Sequence, residues 1–244
     1  MKTNLSVSDL KAFAKEHLFG NYGALVTSVI LAQLLIFLLS RMISALADMT
    51  SLMGIVIYYL IYILVNLLAG ILSYGQAYQY LSVASGKPTS VSDLFAGFKQ
   101  SGEQNAAITQ SALLLTLLAS CFTIPSEVLI NLYYSSADDL YLILSGAVIL
   151  VIGIPVLILA LMFSQVYYIL LDFPRYTAKE AFSLSKRLMK GNKLRLFLVL
   201  ISFIPIGIIG LLTLGLGFFW ILPYINCTMA EFYLDLVKKQ GKQD

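Results

Sequence analysis

Six long apolar runs, at 22–40, 52–73, 106–131, 141–170, 194–212 and 215–236, alternate with shorter stretches that mix polar and apolar positions. Each run is close to the roughly 20 residues that an α-helix needs to cross a hydrocarbon core. Only Thr213 to Gly217 separates the last two runs. Joined, they would make a helix of about 64 Å at about 1.5 Å per residue, roughly twice the core thickness, so six helices fit better than five.

Three of the mixed stretches open with one pattern. Ser6-x-x-Asp9 is followed by Lys15 and Asn21, Ser90-x-x-Asp93 by Lys99 and Asn105, and Thr177-x-x-Glu180 by Lys186 and Asn192. The offset is 84 between the first and second copies and 171 between the first and third. Gly20 and Gly191 precede the asparagine in copies one and three. A hydroxyl followed three residues later by a carboxylate is a capping box, the start signal of a helix. Behind each cap, apolar residues recur at helical spacing: Leu10, Phe13 and Leu18, then Leu94, Phe95 and Phe98, then Ala181, Phe182 and Leu188. Lys11, Lys15, Lys99, Lys186 and Lys190 fill polar positions between them. The spacing predicts amphipathic helices at about 7–19, 91–101 and 178–190, lying in the headgroup region with the apolar side down. The Gly-Asn step then turns the chain into the bilayer, the asparagine satisfying backbone groups freed at the bend.

The predicted fold is therefore an all-α membrane domain over 1–244, with six transmembrane helices arranged as three units. Each unit, at about 6–85, 90–173 and 177–238, is an interfacial amphipathic helix plus a transmembrane hairpin. Two spans per unit give all three the same orientation, as parallel repeats about an axis along the membrane normal. Tyr74, Tyr78, Tyr80, Tyr167, Tyr168, Phe232 and Tyr233 fall where the returning helices leave the hydrocarbon, the level of an aromatic belt. Pro125, Pro155, Pro205 and Pro223 lie within spans and are expected to kink or break them.

Composition agrees with the pattern: 59% hydrophobic, 12% charged and a mean hydropathy of +0.85 exclude an ordinary soluble domain. With six spans, fifteen of the sixteen basic residues share the side of the amino terminus, and only Arg41 is opposite. Asp48, Asp138 and Asp139 occupy the opposite loops. The positive-inside rule then places both termini in the cytoplasm of a bacterial cytoplasmic membrane. Five spans would put Lys238, Lys239 and Lys242 outside. Ala45-Leu46-Ala47 resembles a signal cleavage site, but about twenty residues with their own capped helix precede the first run, unlike a short basic leader. Cys121 and Cys227 fall inside spans without metal or disulfide spacing, and read as apolar thiols.

The third unit resembles a known family on a long ordered set of residues. The run Asp172-Phe173-Pro174, then Ala181 and Ser185-Lys186-Arg187-Leu188-Met189-Lys190-Gly191-Asn192-Lys193, is similar to the signature of domain-of-unknown-function family 975. Phe197, Ser202-Phe203-Ile204, Thr213-Leu214-Gly215-Leu216-Gly217, Trp220, Pro223-Tyr224, Thr228, Ala230 and Phe232-Tyr233 continue it. Residues 165–237 carry the resemblance strongly and the Gly20-Asn21 region more weakly. Pro205 and Ile206 depart from the glycine and tryptophan usual in that family, which bears on the path of the fifth helix. The resemblance implies a bacterial integral membrane protein and leaves its activity open.

Candidate chemistry is sparse. His17 is the only histidine, on the first surface helix, and no serine or cysteine is placed to use it as a base. No HExxH, P-loop, GxSxG or CxxC pattern occurs, and Gly86-Lys87-Pro88-Thr89 is a turn without Walker spacing. The expectation is no enzyme, no catalytic set, no cofactor and no metal. Glu127 and Glu231 are candidate intramembrane polar residues, because burying a carboxylate at depth is costly without a partner. Interfacial anchoring or a structural hydrogen bond competes with a transport role for both. Within 175–195, seven basic residues stand against Glu180 alone. Lys186, Arg187, Lys190 and Lys193 are candidate contacts to anionic lipid headgroups, although the positive-inside rule alone would also place them there. Nucleic acid is not an expected partner, since the chain carries only +3 overall. The preferred reading is a non-enzymatic accessory, scaffold or envelope-stress protein contacting membrane lipids and a membrane-protein partner. The alternative is a small-molecule or lipid transporter with a path lined by Asn66, Gln110, Glu127, Gln165 and Asn226. A lipid-modifying enzyme ranks third.

Overall fold

The computed structural model describes residues 5–46, 51–100, 102–136 and 138–240. Asp48 and Lys242, used in the orientation argument, and Ala47 of the signal-like tripeptide lie outside the described residues. The first three helices are α1 (Val7–Leu18), α2 (Tyr22–Leu46) and α3 (Leu52–Ala84). A 3-10 turn (Val91–Phe95) leads through α4 (Ala96–Lys99) to α5 (Gly102–Ser136), α6 (Asp139–Phe163) and α7 (Val166–Asp172). Then come α8 (Ala178–Leu188), α9 (Lys193–Ile201), α10 (Ile204–Leu212) and α11 (Phe218–Gln240). Among the described residues all regular structure is helical. Five stretches are long and apolar enough to cross a membrane by length and composition: Tyr22–Met42, Met53–Ala84, Gly102–Ser136, Asp139–Asp172 and Lys193–Leu212. α11 is not among them, because Asn226, Thr228, Glu231 and Asp235 dilute its apolar run.

The capping boxes form. Ser6 Oγ accepts from Asp9 N–H at 3.1 Å while Asp9 Oδ2 accepts from Ser6 N–H at 3.0 Å. Thr177 and Glu180 repeat this exchange at 3.3 and 2.8 Å. Exits match too: Gly20 and Gly191 adopt φ of 85° and 79°, and Asn21 and Asn192 donate to the carbonyls of His17 and Leu188 at 3.2 and 2.9 Å. The second copy departs from this. Asp93 Oδ2 still accepts from Ser90 N–H at 2.8 Å, but Asp93 N–H turns to the Ser90 carbonyl at 3.1 Å, and a 3-10 turn replaces the expected helix. The reason is its closeness to α3: a Cβ on Gly75 would overlap the Leu94 carbonyl, and one on Gly97 would meet the Ile71 carbonyl. The turn is made at Gly102 (φ 60°), so Asn105 lies inside α5 and not at a bend.

Prolines disturb the spans less than their ring would predict. Pro125, Pro155 and Pro223 lie inside continuous helices. Only Pro205 coincides with a break, between α9 and α10, at the residues where the family pattern is left.

The core gathers at one end of the bundle, where α3, α7 and α11 converge under α1, α8 and α9. Tyr74, Tyr80, Tyr168, Phe232 and Tyr233 are buried there, so they are core residues and not a lipid-facing belt. Tyr168 stacks on Tyr233 at 5.3 Å and Tyr74 meets Tyr167 edge-on at 6.1 Å. Of the belt residues, only Tyr78 remains exposed. At the other end, α6 presents Ile143, Leu150, Val151 and Ile154 outward. That is the surface expected of a helix facing lipid.

Candidate functional site

The crowded end, called here the capped end, holds most of the polar chemistry. α1 packs on α11 and α3, and α8 on α7, α6 and α5. Leu10, Ala14 and Leu18 of α1 are fully buried, as are Ala181 and Ser185 of α8, with Leu184 and Leu188 nearly so. Protein therefore covers the apolar stripes that were expected to rest on lipid. The reason is the extension of the returning helices beyond the apolar runs, which gives the stripes a protein surface to pack on.

Pairs distant in sequence lock this cap. Lys11 donates to the Ser202 carbonyl at 3.0 Å and to its hydroxyl at 3.3 Å, with Nζ 4.3 Å above the Phe203 ring. The break before Pro205 frees that carbonyl, and a lysine expected at a polar surface position satisfies it. Tyr224 donates to the Lys11 carbonyl at 3.2 Å and Cys227 to the Ala14 carbonyl at 3.7 Å. One turn further along, His17 Nδ1 lies 2.6 Å from Glu231 Oε1. These four contacts fasten α1 to the chain's last two helices. Arg195 Nη2 bridges the Leu5 carbonyl (2.8 Å) and Asp235 Oδ2 (2.6 Å), its guanidinium 4.8 Å above the Phe232 ring. Tyr233 donates to Asp172 at 2.6 Å, tying α11 to the end of α7.

The candidate residues divide between several places. Glu231 is buried and engaged by His17, so neither is free, and the thiol of Cys227 is committed to a carbonyl. Glu127 is half-buried at the other end, where Tyr58 donates to its Oε1 at 3.0 Å beside an open groove lined by Phe122, Ser126, Asn131 and Ile149. Lys186, Arg187 and Lys190 are exposed on α8, and Lys193 is half-buried beside Ile154, Leu157 and Phe197. Arg195, counted with this basic cluster from sequence, is withdrawn into the cap.

Two hollows accompany the clamps. One, of about 260 Å³, is lined by Phe13, Glu16, His17, Glu231, Asp235 and Lys238. The other, of about 190 Å³, lies between α3, α6–α7 and α11, with Gln76, Tyr80, Ser164, Tyr167, Tyr168 and Asn226 in its wall. The five residues proposed as a transport path do not meet. Asn66 turns back to the Tyr62 carbonyl at 2.8 Å, Gln110 is exposed, Gln165 is fully buried, and Glu127 and Asn226 line different hollows.

Outside the apolar segments, two carboxyls are shifted in acidity. Asp9 is held below its ordinary value by the Ser6 hydroxyl and then by the Ser6 amide. Glu180 is held below its own by the Thr177 amide and then by the Thr177 hydroxyl. Both are acceptors of cap hydrogen bonds, which favour the charged form. Among the described residues no group of three His, Cys, Asp or Glu is placed to hold a metal ion.

A family model described as "Protein of unknown function (DUF975)" matches residues 1–240. No curated protein and no solved structure matches the chain.

Proposed function

The chain belongs to the DUF975 family, and from that premise and its capped end we propose a non-enzymatic, multi-pass accessory or scaffold protein of a bacterial cytoplasmic membrane. Both termini face the cytoplasm, following the bias of basic residues. The parity of six crossings is retained: three hairpins enter and leave through the face that carries α1 and α8. They are three variants of one unit, the second modified where it lies against Gly75. The reading includes a part in envelope stress.

One observation carries the functional reading. α8 is fixed by a buried face, with Ser185 donating to the Met162 carbonyl at 2.8 Å, and it turns Lys186, Arg187 and Lys190 outward at the membrane edge. A rigid helix with free cations beside the bilayer is suited to gripping anionic headgroups and, with them, a membrane-protein partner. Each charge near the surface contributes about 1 kcal/mol, so three exposed charges supply roughly 3 kcal/mol, weakening with salt over a Debye length of about 8 Å.

The test uses the full-length protein reconstituted in mixed anionic and neutral vesicles. Anionic lipids should co-purify with the wild type and be lost, at least tenfold, when Lys186, Arg187, Lys190 and Lys193 become glutamine. The remaining basic segments hold the orientation, so insertion is unchanged. Equal lipid retention by both proteins would leave these charges with a topological role only.

A further inference from the structure

The tip joining α10 to α11 differs from the other turns of the bundle. Its residues, Thr213-Leu214-Gly215-Leu216-Gly217, contain one polar side chain and no charge. Leu214 is 96% exposed, and Leu212, Leu216 and Trp220 are exposed around it. By contrast, the turn between α5 and α6 carries Ser135, Ser136, Asp138 and Asp139.

The backbone of this tip is satisfied without solvent. Amides of Thr213, Leu214, Gly215 and Leu216 donate to the carbonyls of Ile209, Leu211, Gly210 and Thr213. Gly217 N–H donates to Thr213 Oγ1 at 2.7 Å, and that hydroxyl donates to the Gly210 carbonyl at 2.7 Å. Phe218, Phe219, Trp220 and Ile221 donate to Gly215, Leu216, Gly217 and Gly217 in turn. Every amide from 213 to 221 thus has an internal acceptor, and the lone hydroxyl is used twice. A turn in water has no need of such closure, whereas a turn in hydrocarbon does, because each unpaired group there costs several kcal/mol.

Leu214 adds a second, independent argument. The bonds from Leu214 to Leu211 and from Gly215 to Gly210 form a Schellman closure, in which the first of these residues is left-handed and usually glycine. Here it is leucine at φ 54°. A left-handed leucine costs about 1–2 kcal/mol over glycine, so its side chain needs an apolar environment to offset the strain. No protein atom supplies one.

Reach supplies the third argument. Asn226 of α11 lies level with Gln76 of α3 and Ser164 of α6–α7, since all three line one hollow. From that level α11 rises eight residues to Phe218, about 12 Å at most, whereas α3 and α6 rise about 36 Å to Leu52 and Asp139. The tip therefore stops roughly 20 Å short of the outer ends of its neighbours.

We propose that the α10–α11 hairpin is re-entrant: it ends inside the bilayer, and its Leu212–Trp220 tip is an interaction surface for lipid acyl chains of the leaflet beside α1 and α8. The reading rests on membrane embedding but not on the orientation of the termini. Four stretches then cross fully, and the third hairpin penetrates one leaflet.

The chain's only tryptophan, Trp220, reports on this without mutation. In vesicles its emission should be quenched most by phosphatidylcholines brominated deep in the acyl chain, and not by aqueous iodide added from either side. A transmembrane hairpin would instead set Trp220 at the outer interface, where shallow bromines and external iodide quench it. A second readout replaces Cys121 and Cys227 by alanine and introduces Leu214→Cys. An impermeant maleimide should leave this thiol unlabelled from both sides while labelling Ser136→Cys from one. Labelling of Leu214→Cys at the same face as Ser136→Cys, or iodide quenching of native Trp220, overturns the proposal. Failure of Ser136→Cys to show sidedness at all would instead count against membrane crossing itself. If the cysteine variants fail to accumulate, the tryptophan measurement on the native chain decides alone.

Discussion

Removing the carboxylate of Asp235 should unlock the capped end, because it leaves the guanidinium of Arg195 in place without its anion. Both side chains are only 15% exposed, and Arg195 Nη1 is already buried without a partner. Breaking a buried pair by deleting one member costs about 3–5 kcal/mol; the residual exposure and the surviving bond to Leu5 bring Asp235→Ala to about 2–3 kcal/mol. For a chain of this length 1 kcal/mol shifts the midpoint by about 2–4 °C, so unfolding should move down by roughly 5–10 °C. The assay is thermal unfolding of the purified protein in a neutral maltoside detergent, followed by loss of helical circular dichroism. The paired change Arg195→Met with Asp235→Leu removes both charges and should lie within about 1 kcal/mol of the wild type. A shift below about 1 °C for Asp235→Ala, or a paired variant as unstable as the two single losses combined, would refute the claim that a desolvated ion pair holds this corner.

Three further outcomes follow from the same geometry. Tyr233→Phe removes one hydrogen bond to the Asp172 carboxylate and should destabilise by about 1.5–3 kcal/mol, with Asp172→Asn recovering part of the loss in the double variant, as measured by the same melt. Gly75→Ala forces a Cβ into the Leu94 carbonyl, so trypsin should cut faster at Lys87 or Lys99 once the turn is pushed off α3, and unchanged cutting would show that the turn gives way freely. Asp9 and Glu180 have folded acidities below their ordinary values of 3.8 and 4.5, so their stabilising contribution is complete above those values and is lost as pH falls through the lowered folded ones. The double variant Ser6→Ala, Thr177→Ala should accordingly be less stable than the wild type near neutrality, and that difference should shrink in acid; a difference independent of pH would remove the caps as its source.

Local signals in the chain were read correctly, and long-range ones were not. Capping boxes at Ser6 and Thr177, the glycine-asparagine exits and the break near Pro205 depend on neighbours within four or five residues, and the sequence displays those directly. Asn105 misled because its register matched while a contact 30 residues away, between Gly75 and Leu94, reshaped its segment. The tyrosines of α3, α7 and α11 were assigned to a lipid belt because a ring at a helix end fits lipid and protein equally well. Only convergence of three helices distinguishes the two. Lys11, His17 and Arg195 read as surface cations for the same reason: their partners Ser202, Glu231 and Asp235 are 40 to 214 residues distant. A faint clue existed in α11, whose Asn226, Thr228, Glu231 and Asp235 would be wasteful on a lipid-facing helix and imply one enclosed by protein.

The clamp of α1 onto Ser202, Cys227 and Glu231 also bears on the order of biogenesis. The ribosome makes α1 first and its docking surface last, so Leu10, Ala14 and Leu18 stay without their final neighbours until about 200 more residues have emerged. Closing that circuit is the kind of remote contact that slows folding and leaves apolar surface open to the wrong partner meanwhile. A chain cut short before α11 would insert its early hairpins and keep an adhesive helix at the membrane edge. Quality control could recognise such an unfinished copy by that one uncovered stripe.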